Sequence, residues 1–183
     1  MAVFAASFTV AQSADCTTLT FLDTSNYNTI ASPSANSNSI AISSFDTREF
    51  IVSDSNYDVI DTIALTGSAL SGSYALSADA WLSVALSATN ASPALDYSVT
   101  HSVLSTCFLE LCFAELVAAT ESGCACGCGG GSCTCDNTQN DKVLLLQFIR
   151  AAQIFAEYSN PVLAQKQLDA GTAVCNANEN NNN

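Results

Sequence analysis

Apolar and polar side chains alternate through most of the first hundred residues. In "SFTVAQ" (7–12) the alternation is simple, and "TTLTFLD" (17–23) puts Leu19 and Phe21 on one face and Thr18 and Thr20 on the other. The same period runs through "NSIAIS" (38–43), "REFIVSD" (48–54) with Phe50 and Val52 in phase, and "DYSVTHSVLS" (96–105). Within "SYALSADAWLSVALSAT" (73–89), Leu82, Val84 and Leu86 alternate with Trp81 and Ser83. A period of two predicts strands with one face inward. "DVIDTIALT" (58–66) is equivocal. Val59, Asp61, Ile63 and Leu65 oppose Ile60, Thr62 and Ala64, so neither face reads as the buried one. The separators "DTSNYNTIASPSANSN", "TGSALSGS" and "TNASPAL" have turn compositions. Short strands at near-regular spacing predict an antiparallel β-sandwich over residues 1–100.

The period changes near residue 101. In "VLSTCFLELCFAELVAAT" (103–120), Val103, Cys107 and Leu111, and less strictly Phe108, Cys112 and Leu116, recur at helical spacing. "NDKVLLLQFIRAAQIFAEYSN" (140–160) carries a broad apolar stripe of Leu145, Phe148, Ile149, Ala152, Phe155 and Ala156. Asn140 or Asp141 is the expected cap of that helix. Asn160 before Pro161 reads as a cap followed by a first-turn proline, opening a short third helix that Gly171 ends. The expected fold class is α+β: a β-sandwich domain (1–100), then a helical hairpin with a Cys/Gly-rich tip loop at 123–136 and a short third helix (101–175). The Asn-rich tail (176–183) is of low complexity, and such tails are mobile unless a partner packs them.

Charge narrows the function. Arg48, Lys142, Arg150 and Lys166 are the only basic residues against 17 acidic ones, a net charge of −13. Direct nucleic-acid binding needs a basic footprint that this chain lacks, and attraction to an anionic membrane surface fails for the same reason. No segment is long and apolar enough to read as a membrane-spanning helix. The start, "MAVFAASFTVAQSA", lacks Lys and Arg, and its apolar run is broken by Ser7 and Thr9, so it reads as a first strand rather than a cleaved secretion signal. Charged residues make up only 11% of the chain, and Ser, Thr and Asn carry most of its polarity. Such a weakly charged surface suits large neutral contacts and points to an assembly subunit.

Candidate chemistry is concentrated in "CACGCGGGSCTC" (124–135), which holds Cys124, Cys126, Cys128, Cys133 and Cys135 between the two helices. Structural zinc sites use cysteine pairs two to four residues apart, whereas these pairs are C-x-C. C-x-C thiolates do wrap soft ions, so these five are candidate ligands for zinc or copper. Disulfides across the hairpin tip are a second reading, and a glycine-rich loop of reduced thiols a third. Cys107 and Cys112, among Leu and Phe, read as small core residues. Nucleotide-binding, hydrolase-elbow and zinc-protease motifs are missing, and one histidine, His101, does not make a triad. The carboxylate pairs Asp46/Glu49 and Asp58/Asp61 read as solvated turn residues. No catalytic residue and no required cofactor is expected, so the chain does not read as an enzyme.

The order of parts supplies a resemblance. "FTVAQSADCTTLTFLDTSNY", then "FDTREFIVSD", then "AWLSVALSAT" make a β-rich head; "TCFLELCFAEL", a cysteine-bearing loop and "LLLQFIRAAQIFAEYS" follow. This layout resembles small structural proteins of tailed bacteriophages, in particular the ring or collar subunits at the head–tail junction of crAss-like and related phages. The resemblance covers most of the chain in layout and carries no residue-level motif. It implies a non-enzymatic virion subunit, a homo-oligomeric ring around the tail axis whose partners are other neck and tail proteins. An acidic inner wall would not grip passing DNA. Two other readings stand beside it: a secreted or surface β-sandwich adhesin stabilised by disulfides, and a metal-binding module built on the cysteine loop.

Overall fold

The computed structural model describes residues 6–25, 45–89, 96–121 and 134–181, and side chains over 6–25, 45–89, 96–119 and 138–177. The chain forms two compact units: Met1–Ser77 with Leu82–Val103, and Ala78–Trp81 with Leu104–Asn183. The class is α+β, with antiparallel sheets followed by helices.

In the first unit, β1 (Phe8–Gln12), β2 (Thr18–Asp23) and β5 (Ser71–Ala75) form one sheet in the order β1-β2-β5. A second sheet has the order β4-β3-β6-β7, from β3 (Thr47–Ser53), β4 (Val59–Ala64), β6 (Trp81–Thr89) and β7 (Tyr97–Leu104). The alternating residues meet between the sheets. Leu19 and Phe21 of β2 face Phe50, Val52, Val84 and Leu86 of the other sheet, and all six are fully buried. The Phe50 ring lies 5.4 Å from that of Phe8 and 5.3 Å from that of Phe21. Gly72 of β5 stands opposite Phe21, and a Cβ there would lie 2.7 Å from a methyl of Ile63 on β4. Glycine is what lets the two sheets close at this corner. The stretch 73–89, which reads as one alternating run, is two strands in different sheets, broken at residues 76–80. "NSIAIS" (38–43) lies outside the described residues.

The second unit holds α1 (Cys107–Glu121), α2 (Thr134–Glu157) and α3 (Pro161–Asn181). Its core is Leu109, Leu116, Leu145, Ile149, Ala152 and Leu168, with Leu104, Cys112, Phe113 and Cys175 against its edge. The α2 stripe is as expected: Leu145, Ile149 and Ala152 are buried, with Phe148, Phe155 and Ala156 half-buried. The α1 stripe is shifted. Leu109, not Leu111, turns inward, and Leu111 is 47% exposed. α2 also begins at Thr134, six residues before the expected cap at Asn140 or Asp141. Its first turns, "TCDNTQN", are polar and give no apolar period to read.

The α2–α3 junction follows the sequence closely. Asn160 Oδ1 accepts the Leu163 N–H, and Pro161 opens the helix. Before it, Ser159 has φ 55°, its N–H donates to the Ala156 carbonyl, and the Asn160 N–H donates to the Phe155 carbonyl. That is a Schellman closure of α2 with serine at the left-handed position glycine prefers. Ser159→Gly is expected to raise stability by about 1 kcal/mol in urea denaturation, by relieving the Cβ contact of that conformation.

The third helix is not short. α3 runs 21 residues through Gly171 to Asn181, into the Asn-rich segment. Gly171 does not end the helix; it is buried inside it. A Cβ there would lie 2.9 Å from Leu109 Cδ1 and 3.3 Å from Leu145 Cδ1. The glycine serves close packing of three helices instead of a turn.

Candidate functional site

Three features of the described residues are candidates for a functional role: the disulfides, the entry to α1, and the outer strand β4.

Cys112 of α1 and Cys175 of α3 form a disulfide with Cα atoms 6.2 Å apart, across 63 residues of sequence. Cys16 and Cys107 are each disulfide-bonded as well. Cys107 and Cys112, which read as small apolar core residues, are therefore corrected to bonded cysteines. The reason they mislead is physical: a half-buried cysteine beside Leu and Phe has the same surroundings whether reduced or paired. Cys16 lies in the tight turn between β1 and β2 at φ 65° and is fully buried. Beside it the Asp15 carboxylate accepts from Ser13 Oγ, Thr17 Oγ1 and the Thr17 N–H, which holds its pKa below the usual carboxylate value. Cys124, Cys126, Cys128 and Cys133 lie outside the described residues, and Cys135 falls in the first turn of α2 where side chains are not described. Among the described residues no group of three or more His, Cys, Asp or Glu is arranged to hold a metal ion.

The entry to α1 is organised by Asp79, which sequence reading missed. Its Oδ1 accepts from the Phe108 N–H at 3.0 Å and Ser105 Oγ at 3.1 Å, and its Oδ2 from the Leu109 N–H at 2.7 Å. These N–H groups lie in the helix's first turn and have no partner within it. Thr106, in the cap position, donates its hydroxyl to Glu110 instead. Asp79 is thus a cap from 29 and 30 residues upstream. It is buried, and burial pushes its pKa above the usual carboxylate value despite the three hydrogen bonds. Two residues on, the Trp81 N–H donates to Gln165 Oε1 of α3.

Among the described residues β4 is an outer strand of its sheet, paired only with β3. Val59 is 62% and Ile60 46% exposed, whereas Ile63 is half-buried beside Gly72 and Leu65 just beyond the strand is buried, so the pattern is equivocal because only the C-terminal end of the segment is covered. Asp58 and Asp61 are exposed beside them, as expected for solvated carboxylates, and Asp46 is exposed and Glu49 half-buried. His101 sits on β7, exposed, with its ring edge-on to Phe8 at 4.5 Å. A surface cavity of about 690 Å³ is lined by Asp46, Arg48, Glu49, Leu65, Thr66 and Ser68, among others. Arg48 is buried and donates to the Ala69 carbonyl.

No helix among the described residues is long and apolar enough to cross a membrane. No protein-family model, curated protein or solved structure matches the chain.

Proposed function

We propose that the chain is a non-enzymatic structural subunit that assembles with its own copies into a ring, in the head–tail region of a tailed-phage virion as the layout resemblance implies. The observation that carries the assembly reading is β4. Among the described residues it is an outer strand that exposes two β-branched side chains, Val59 and Ile60, with no Lys or Pro and only Asp61 and one register shift against β3 to blunt it, and such an edge invites another chain. Val143, Leu144 and Ile154 on α2 add exposed apolar surface in the second unit. A head-to-tail contact through unlike surfaces closes into a ring when its rotation permits. The low charge density of the chain suits such contacts.

Native mass spectrometry of protein purified without reductant or chelator tests this reading. A high-order oligomer without metal mass is expected. The double substitution Val59→Lys/Ile60→Lys is expected to leave circular dichroism unchanged and to shift the distribution to smaller species. A protein that stays monomeric at high concentration, alone and with virion extracts, overturns the reading.

The disulfide at Cys112–Cys175, with Cys16 and Cys107 also bonded, favours a second reading, a surface or secreted β-sandwich protein. Cell fractionation separates the two: enrichment in particles for the first, at the cell surface for the second.

A further inference from the structure

We infer that the Cys112–Cys175 disulfide is a lock added after folding: the helical unit folds with both thiols reduced, and the bond closes afterwards by exchange with a small-molecule disulfide. The inference is independent of the ring proposal.

Three observations lead to it. First, the core of the unit is made without sulfur. Leu109, Leu116, Leu145, Ile149, Ala152 and Leu168 fill it, and the two cysteines pack half-buried at its edge. A reduced cysteine there packs as a small hydrophobe, so the core does not wait for the bond.

Second, the non-covalent packing itself brings the thiols together. α2 packs along both α1 and α3, whereas α1 and α3 meet along a short seam. The seam is registered by Leu109 of α1 against Gly171 of α3. Cys112 lies three residues beyond Leu109 and Cys175 four beyond Gly171, so each falls on the same helix face as its marker. Once Leu109 seats on Gly171, the two Cα atoms stand 6.2 Å apart, within the span a disulfide bridges.

Third, the bond is the wrong one for an unfolded chain. Cys112 is 63 residues from Cys175 but only twelve from Cys124, and five cysteines crowd residues 124–135. Closing a short loop costs less entropy than closing a long one. Oxidation before folding therefore favours pairs with the 124–135 thiols, and the observed pair is reached through the folded, reduced chain.

The chemistry is two exchanges with one molecule such as glutathione disulfide. The thiolate of one cysteine attacks it, forming a mixed disulfide and releasing one glutathione thiolate. The thiolate of the other cysteine then attacks the protein-side sulfur and releases the second. The protein pair loses two electrons and two protons, and glutathione disulfide is reduced to two thiols. The lock then fixes α3 to α1, the helix pair of this unit with the least extensive non-covalent contact.

The test uses the full chain refolded in dithiothreitol and then moved to glutathione disulfide. The reduced chain is expected to show its helical circular dichroism and a cooperative urea transition before oxidant is added. Peptide mapping is then expected to find Cys112 joined to Cys175. Amide exchange across Leu109–Leu116 and Leu168–Cys175 should slow by about tenfold or more on closure. Oxidation in urea before refolding is expected to give other pairings. Cys112→Ala/Cys175→Ala, and the Ser pair as a second variant, should fold and keep the fast exchange with or without oxidant. The inference is overturned if both variants lack a cooperative transition, if the native pair forms equally well in urea, or if it fails to form in the folded chain.

Discussion

Phe50→Ala is expected to cost the sandwich about 4 kcal/mol, a large share of the stability of a domain this size. Phe50 is fully buried at the centre of β3, and its strand neighbour across β6 is Leu86, also fully buried. Removing the ring deletes its transfer free energy and leaves a cavity that the sheets cannot close without sliding. It also ends two ring contacts, edge-on with Phe8 at 63° and tilted with Phe21 at 44° between planes, each worth about 1 kcal/mol beyond area burial. Gly72 limits relaxation further, since a Cβ at its position would lie only 3.4 Å from the Phe50 ring and 2.7 Å from Ile63, so that corner is already close-packed. Phe50→Leu keeps most of the volume and is expected to cost less than half as much. Urea denaturation followed by far-ultraviolet circular dichroism measures both. Equal costs for Ala and Leu would mean that the ring contacts, not the volume, hold the corner.

Residues such as Phe50 are legible in the sequence because strand burial is a local signal. Leu19 and Phe21, and Phe50 and Val52, alternate with polar neighbours, and all four are buried as that period requires. Asn160–Pro161 is legible for the same reason, since a cap and its proline act within one turn. What stays hidden depends on partners distant in sequence. In α1 nearly every position from Cys107 to Phe113 is apolar, so no period distinguishes Leu109 from Leu111; packing against Leu145 and Gly171 decides it. Gly171 carries the same letter as a helix stop and means the opposite, because two leucines press on it. Cysteine connectivity is not written in spacing, and Cys112 pairs with a residue 63 positions away that lies beyond the expected helix end at Gly171. The five-cysteine loop carries the strongest sequence signal for chemistry and admits three readings, and four of its cysteines lie outside the described residues.

Asp79 is the extreme case of a distant partner, and its removal is the second large effect expected. Asp79→Ala leaves the Phe108 and Leu109 N–H groups and Ser105 Oγ without their acceptor, two of them in buried residues. A lost helix cap costs about 1 kcal/mol, and burial of the orphaned donors raises that to about 2 kcal/mol. Asp79→Asn separates charge from geometry. Its oxygen can still accept from Phe108 and Ser105, but its amide points N–H at the N–H of Leu109, so one bond is replaced by a clash of donors. The pH dependence follows from the raised pKa, which burial causes and the Glu110 charge reinforces. A carboxyl raised on folding holds its proton more tightly in the folded chain. Its contribution to stability is therefore fully present below the ordinary value of 3.8, falls as pH rises through the raised value, and is level above it. The stability gap between wild type and Asp79→Asn, which has no proton to lose, is expected to narrow as pH rises through that window and to be constant above it. Trp81 is the only tryptophan, is buried, and lies two residues from Asp79, so its fluorescence in urea titrations at stepped pH reads this gap at the site. A gap that widens with rising pH would mean that the hydrogen bonds from α1 outweigh burial, and that Asp79 is held charged as an electrostatic cap.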